Sequence, residues 1–172
     1  MQLKTNSLSR FSGTLGLAGA LLAGSCLCAC AQIPDSGKAP IVGTWRVTVT
    51  LQDCQTHAPV ADPFHALLTF GVGGTFGGSA ANPAFLPGQR SADFGVWSRK
   101  SGNTYTAHDE ALIPFGGGPF SAGTQILLHN ITLSPDGNSF TDAATTQFLD
   151  TNGNQVLPPP GCASATAQRV VQ

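Results

Sequence analysis

Charge is what this sequence has least of. Its 172 residues include eight Lys and Arg against nine Asp and Glu, for a formal net charge of -1. No basic run occurs, so binding nucleic acid by neutralising its backbone has no electrostatic footprint, and no nucleic-acid partner is expected. Solvated helices draw their outer faces from Lys and Glu, so the scarcity of charge also argues against long helices. A helical period is absent beyond the first thirty residues, and no repeat of roughly 20–50 residues is visible. There is no G-x-S-x-G elbow to carry a nucleophile and no glycine-rich phosphate loop leading into a helix. The apolar stretch near the N-terminus, 14–24, is short, about half the ~20 residues a membrane-spanning helix needs.

Glycine (21) and proline (12), by contrast, are plentiful, and they punctuate a chain of short period-two segments. Trp45, Val47, Val49 and Leu51 alternate with Arg46, Thr48, Thr50 and Gln52, the mark of a half-buried strand with odd positions inward. Further strands are predicted over 64–70, 75–80, 92–100, 104–113, 121–133, 139–149 and 162–169. Gly71-Val72-Gly73-Gly74, Ser101-Gly102-Asn103 and Ser134-Pro135-Asp136-Gly137-Asn138 supply tight turns between them. Longer connections fall at 53–63, 82–89 and 114–119. About eight strands in series with mostly hairpin connections describe an all-β domain.

The N-terminus has the layout of an export signal. Lys4 and Arg10 precede the short apolar run, and Ala29-Cys30-Ala31 offers small residues for cleavage before Gln32. Leu27-Cys28-Ala29-Cys30 also fits a lipobox, with Cys30 as the lipidated residue. Both routes put the domain outside the cytoplasm, and only lipidation at Cys30 would tie it to a membrane. The expected organisation is a signal peptide over 1–31, a polar linker over 32–40 and the β-domain over 41–172. Without Lys4 and Arg10, six basic residues face nine acidic ones.

Of five cysteines, Cys26, Cys28 and Cys30 belong to the leader. Cys54 and Cys162 remain, and a lone pair in an exported domain is most simply a disulfide. The pair also bears on topology. Strands in series leave two unpaired edges unless the first and last meet. Cys54 and Cys162 fit an antiparallel pairing of those two strands. Trp45 opposite Arg169 fits the same register to within a bulge or a diagonal neighbour. The expected fold is therefore an eight-stranded antiparallel up-and-down barrel, closed by pairing of its first and last strands.

Gly43-Thr44-Trp45 at the start of the first strand resembles the G-x-W signature of lipocalins and related calycins. The resemblance implies that Trp45 lies at the closed end of the barrel, with an Arg from the last strand across it, and Arg169 falls at that position. Gly43, Trp45 and Arg169 are then structural. The second lipocalin motif and the C-terminal helix of classical members have no counterpart, and the disulfide joins different elements, so the resemblance is remote.

Motifs for chemistry are sparse. His108 and His129 lie on consecutive strands and, with Glu110, would form a metal or acid–base site only if all three shared a face. The parity of the strands puts His129 inward and His108 outward. Asp109 and Glu110 are adjacent and so face opposite sides. Asp150-x-Asn152-x-Asn154 begins like a calcium loop but lacks the glycine and closing glutamate, and reads as a turn. No metal and no cofactor are expected.

The interior remains. Val47, Val49, Leu51, Phe70, Trp97, Leu133 and Phe148 are candidates to line it, and the alanines of the last strand leave space beside them. A barrel of this size is filled by its side chains or holds one small ligand. One expectation is a lipocalin-like module that binds a small hydrophobic molecule. A second is a filled structural or protein-interaction barrel. An enzyme at the barrel mouth would require inward polar groups, for which Asp53, His129 and Arg169 are the candidates.

Overall fold

The computed structural model describes residues 40–156 and 161–171. The predicted leader and nearly all of the linker lie outside the described residues. Eight strands follow in chain order: β1 (Gly43–Gln52), β2 (Phe64–Phe70), β3 (Thr75–Ala80), β4 (Asp93–Ser101), β5 (Thr104–Ile113), β6 (Gly123–Leu133), β7 (Ser139–Asp150) and β8 (Gly161–Arg169). Among the described residues there is no helix. Each strand pairs antiparallel with the next, and β1 pairs with β8, so the sheet closes into a barrel without edges.

The closing register runs from Trp45 opposite Arg169 to Gln52 opposite Cys162. Cys54 lies two residues past the last pair and bonds Cys162 as a diagonal neighbour, with a Cα–Cα distance of 5.2 Å. The disulfide fastens the seam just where the β1–β8 ladder ends.

Alternation sorts each strand's side chains into interior and exterior. Because the strands run up and down, the connections sort by length as well. Tight turns over 71–74, 102–103 and 134–138 gather at one end. The longer 53–63, 81–92 and 114–122 loops gather at the other, which we call the mouth.

The tight-turn end is packed solid. Trp45 and Phe70 are fully buried there with Ile41, Phe76, Trp97, Tyr105, Leu133 and Phe140. Their rings meet edge to face, Trp45 on Phe140 at 4.9 Å and Phe70 on Phe76 at 4.9 Å between centroids. That geometry suits the aromatic quadrupole. Trp45 donates its indole N–H to the Ile41 carbonyl at 2.9 Å, which satisfies that donor.

Arg169 covers this plug. Its guanidinium lies 4.2 Å from the Trp45 ring centroid and donates to the carbonyls of Pro40, Val42 and Gly137. The contact is a cation–π pair with its charge held by backbone oxygens. Gly43 makes the approach possible. Its φ is +137°, and a Cβ there would stand 2.7 Å from the Arg169 guanidinium. The glycine of the G-x-W tripeptide is thus required by both its backbone angle and its neighbour.

Candidate functional site

The mouth half of the same barrel is built differently. Four inward positions on consecutive strands are ionisable: Asp93 on β4, Asp109 on β5, His129 on β6 and Asp142 on β7. Asp109 faces Gly95, not Asp93, across the ladder; His129 faces Ala107 on one side and Ala144 on the other. Each ionisable side chain therefore meets the next diagonally, two residues out of register. Strands tilt in a barrel, so a diagonal line across them is a level belt around the wall.

The belt is densely connected. His129 lies between two carboxylates, with Nδ1 2.6 Å from Asp142 Oδ2 and Nε2 2.9 Å from Asp109 Oδ1. The Asp142 contact is a hydrogen bond, whereas the Asp109 contact is an ionic approach without hydrogen-bond alignment. The other Asp142 oxygen accepts the Asn130 backbone N–H at 3.1 Å. Burial alone would push His129 down, but Asp109 and Asp142 at its two nitrogens override it and raise its pKa to about 10. The imidazole is a cation at neutral pH.

Arg90 enters the barrel from the β3–β4 loop. It forks onto both oxygens of Asp93 and donates through Nε to Gln125 Oε1 at 2.6 Å. Gln125 passes the chain to Thr146 Oγ1 at 2.9 Å. Burial pushes the Asp93 carboxyl up, against the pull of Arg90, and the neighbouring Asp109 adds to the rise. Gly95 allows this crowding, since a Cβ there would stand 2.0 Å from the His108 carbonyl and 2.5 Å from Asp109 Cα.

Opposite the belt the wall is apolar and small. Val47, Val49 and Leu51 of β1, Ala66 and Leu68 of β2, and Ala163 and Ala165 of β8 face it across a cavity of about 90 Å³. Room for one water requires roughly 10–15 Å³ on this measure, so the cavity is large enough for a small organic group. Above it, Phe85 of the β3–β4 loop stacks on Phe120 of the β5–β6 loop at 4.1 Å, and Phe120 packs on Phe148 at 5.0 Å. Gln89, fully buried, ties the two loops together by accepting the Leu86 N–H and donating to the Gly117 carbonyl at 2.8 Å. These loops roof part of the mouth.

No family model matches this chain, and no curated protein matches it. The eight-stranded closed antiparallel barrel is compatible with a calycin-like fold, and the site must be argued from its own residues.

Of the interior residues read from the sequence, Val47, Val49 and Leu51 line the cavity. Phe70, Trp97 and Leu133 belong to the packed end instead. Phe148 is half-buried beneath the roof. The three inward polar candidates do not converge. Arg169 caps the opposite end. Asp53 is exposed and turns back on its own loop, accepting the N–H groups of Gln55 and Thr56 and the Thr56 hydroxyl. The Thr56 bonds, then Gln55, hold its pKa low. Only His129 is at the cavity. His108 and Glu110 stand outside the barrel, half-exposed and 3.7 Å apart, so they make no site with His129.

Asp150 accepts the N–H groups of Asn152 and Asn154 within its own turn. Among the described residues no group of three or more His, Cys, Asp or Glu is arranged to hold a metal ion. Sequence reasoning did not find Arg90, Asp93, Asp109, Gln125 and Asp142 as a set. The signal was present in parity: Asp93 shares its face with Trp97, Asp109 with Tyr105, Gln125 with His129 and Asp142 with Phe140.

Proposed function

We propose that this protein is an exported, lipocalin-like binding barrel that holds one small molecule in its mouth-half cavity. The observation that carries the reading is the cavity itself, a space with one apolar wall and one hydrogen-bonding wall inside an otherwise close-packed barrel. The ligand that suits it has a short apolar body and a polar end. The disulfide across the barrel seam supports an oxidising compartment. Equilibrium titration with an environment-sensitive apolar dye tests the reading. One-to-one uptake, lost on denaturation and displaced by small amphiphiles, is the expected result. Absence of uptake by the folded protein would remove it.

A second reading, a protein-interaction barrel, is favoured by one feature. Phe94 and Val96 of β4 and Leu112 of β5 are exposed by 72%, 61% and 61% on the outer wall. Neighbouring apolar side chains on an outer surface suit contact with a partner. Concentration-dependent association suppressed by Phe94→Ser would support it.

A further inference from the structure

We infer that the mouth-half cavity selects ligands bearing a cationic nitrogen over anionic or merely apolar ones, with Asp109 as the carboxylate whose charge sets the preference. This deepens the binding reading above and rests on it. Its basis is a count of charges. The buried ionic groups of the cavity are three carboxylates, Asp93, Asp109 and Asp142, and two cations, Arg90 and His129. One negative charge has no matching cation among the described residues.

The cations are already committed. Arg90 spends Nε on Gln125, Nη1 on Asp93 and the Ser91 carbonyl, and Nη2 on Asp93. His129 is held between Asp109 and Asp142. An incoming carboxylate would find no free cation and would lie against three acids in a low-dielectric space.

The carboxylates are not equally matched. Asp142 has an aligned donor on each oxygen, from His129 and from the Asn130 backbone. Asp93 has the Arg90 fork. Asp109 is 2% exposed and lines the cavity, and its Oδ1 shares the His129 charge with Asp142 through a 2.9 Å ionic contact that lacks hydrogen-bond alignment. Three buried carboxylates that share two cations leave one charge uncompensated, and a cationic ligand that compensates it is favoured in a low-dielectric space. An ammonium group supplies the missing positive charge, while Val49, Leu51 and the β8 alanines take its alkyl tail.

The test compares three probes with the same tail, n-butylamine, n-butanol and butyrate, titrated into the purified protein and followed by amide chemical shifts. Butylamine is expected to bind at least about tenfold more tightly than butanol, with butyrate weakest. In Asp109→Asn, checked for folding by near-ultraviolet circular dichroism, the butylamine-to-butanol ratio should collapse toward one. Butyrate binding as well as butylamine, or equal binding of butylamine and butanol to the unaltered protein, would overturn the inference while leaving a binding cavity in place. So would an undiminished preference in folded Asp109→Asn. Failure of all three probes to bind would overturn both the inference and the reading beneath it. The comparison in the unaltered protein stands whether or not the variant folds.

Discussion

At the tight-turn end of the barrel, eight strands enclose Trp45, Phe70, Phe140 and their neighbours, with Arg169 laid over the top. At the mouth end the same strands enclose an ionic belt, a wall of small apolar side chains and a cavity between them. Backbone, alternation and closure are common to both ends, so they cannot explain the difference. Side-chain volume and polarity do. Aromatic rings from several strands fill one end, whereas β8 contributes only Ala163 and Ala165 to the cavity wall. The ionic groups gain nothing obvious for stability, because buried ion pairs often only break even against apolar replacements of the same volume. Stability concentrates at the packed end, which leaves the mouth free to carry polar groups suited to a ligand.

The largest effect expected from breaking this contrast is at the plug. Trp45→Ala should cost about 3–5 kcal/mol in denaturant unfolding, since it removes a fully buried indole and the platform under Arg169. His129→Leu should cost nearly as much, about 3–5 kcal/mol, for a different reason: it leaves Asp109 and Asp142 buried without their shared cation. The two variants are separated by pH. Because folding raises the His129 pKa from its ordinary value of 6.5 to about 10, its contribution is fully present below pH 6.5 and is lost as pH rises through about 10. Trp45→Ala should keep that alkaline decline, on the order of a few kcal/mol, and His129→Leu should flatten it. A melting temperature constant from pH 6.5 to 10 in the unaltered protein would contradict the buried imidazolium.

A smaller effect belongs to the cap. Arg169→Lys keeps the charge but loses the planar fork that reaches three carbonyls, at an expected cost of roughly 1–2 kcal/mol. A cost below measurement would mean that the charge over Trp45, not the fork, closes this end.

The strands and the closure at Trp45 and Arg169 were legible in the sequence, whereas the ionic belt and the division of the interior into a packed end with Phe70, Trp97 and Leu133 and a hollow one were not, for physical reasons. Strand positions follow from period-two patterning and glycine-rich turns, and Cys54, Cys162, Trp45 and Arg169 together fix the closing register. The belt depends on diagonal meetings across β4 to β7. Those require the register across the 114–122 loop, which no local pattern encodes. A single Asp on an apolar face also resembles a solvated residue until the neighbouring strands are placed. Arg90 comes from a loop, where alternation carries no information. Asp53 failed in the opposite sense: extending the parity of β1 points it inward, but the strand ends at Gln52 and Asp53 bonds its own turn.

The central claim is that the mouth half holds a usable cavity, and filling that cavity from its apolar side tests it most directly. Ala163 lines the space and is flanked on its ladder by Leu51 and Ala144. Ala163→Leu should change unfolding free energy by less than about 1 kcal/mol, because the new carbons occupy existing space. The same substitution should weaken uptake of an apolar dye at least tenfold. Equal dye affinity in the two proteins, with the fold intact, would contradict the account.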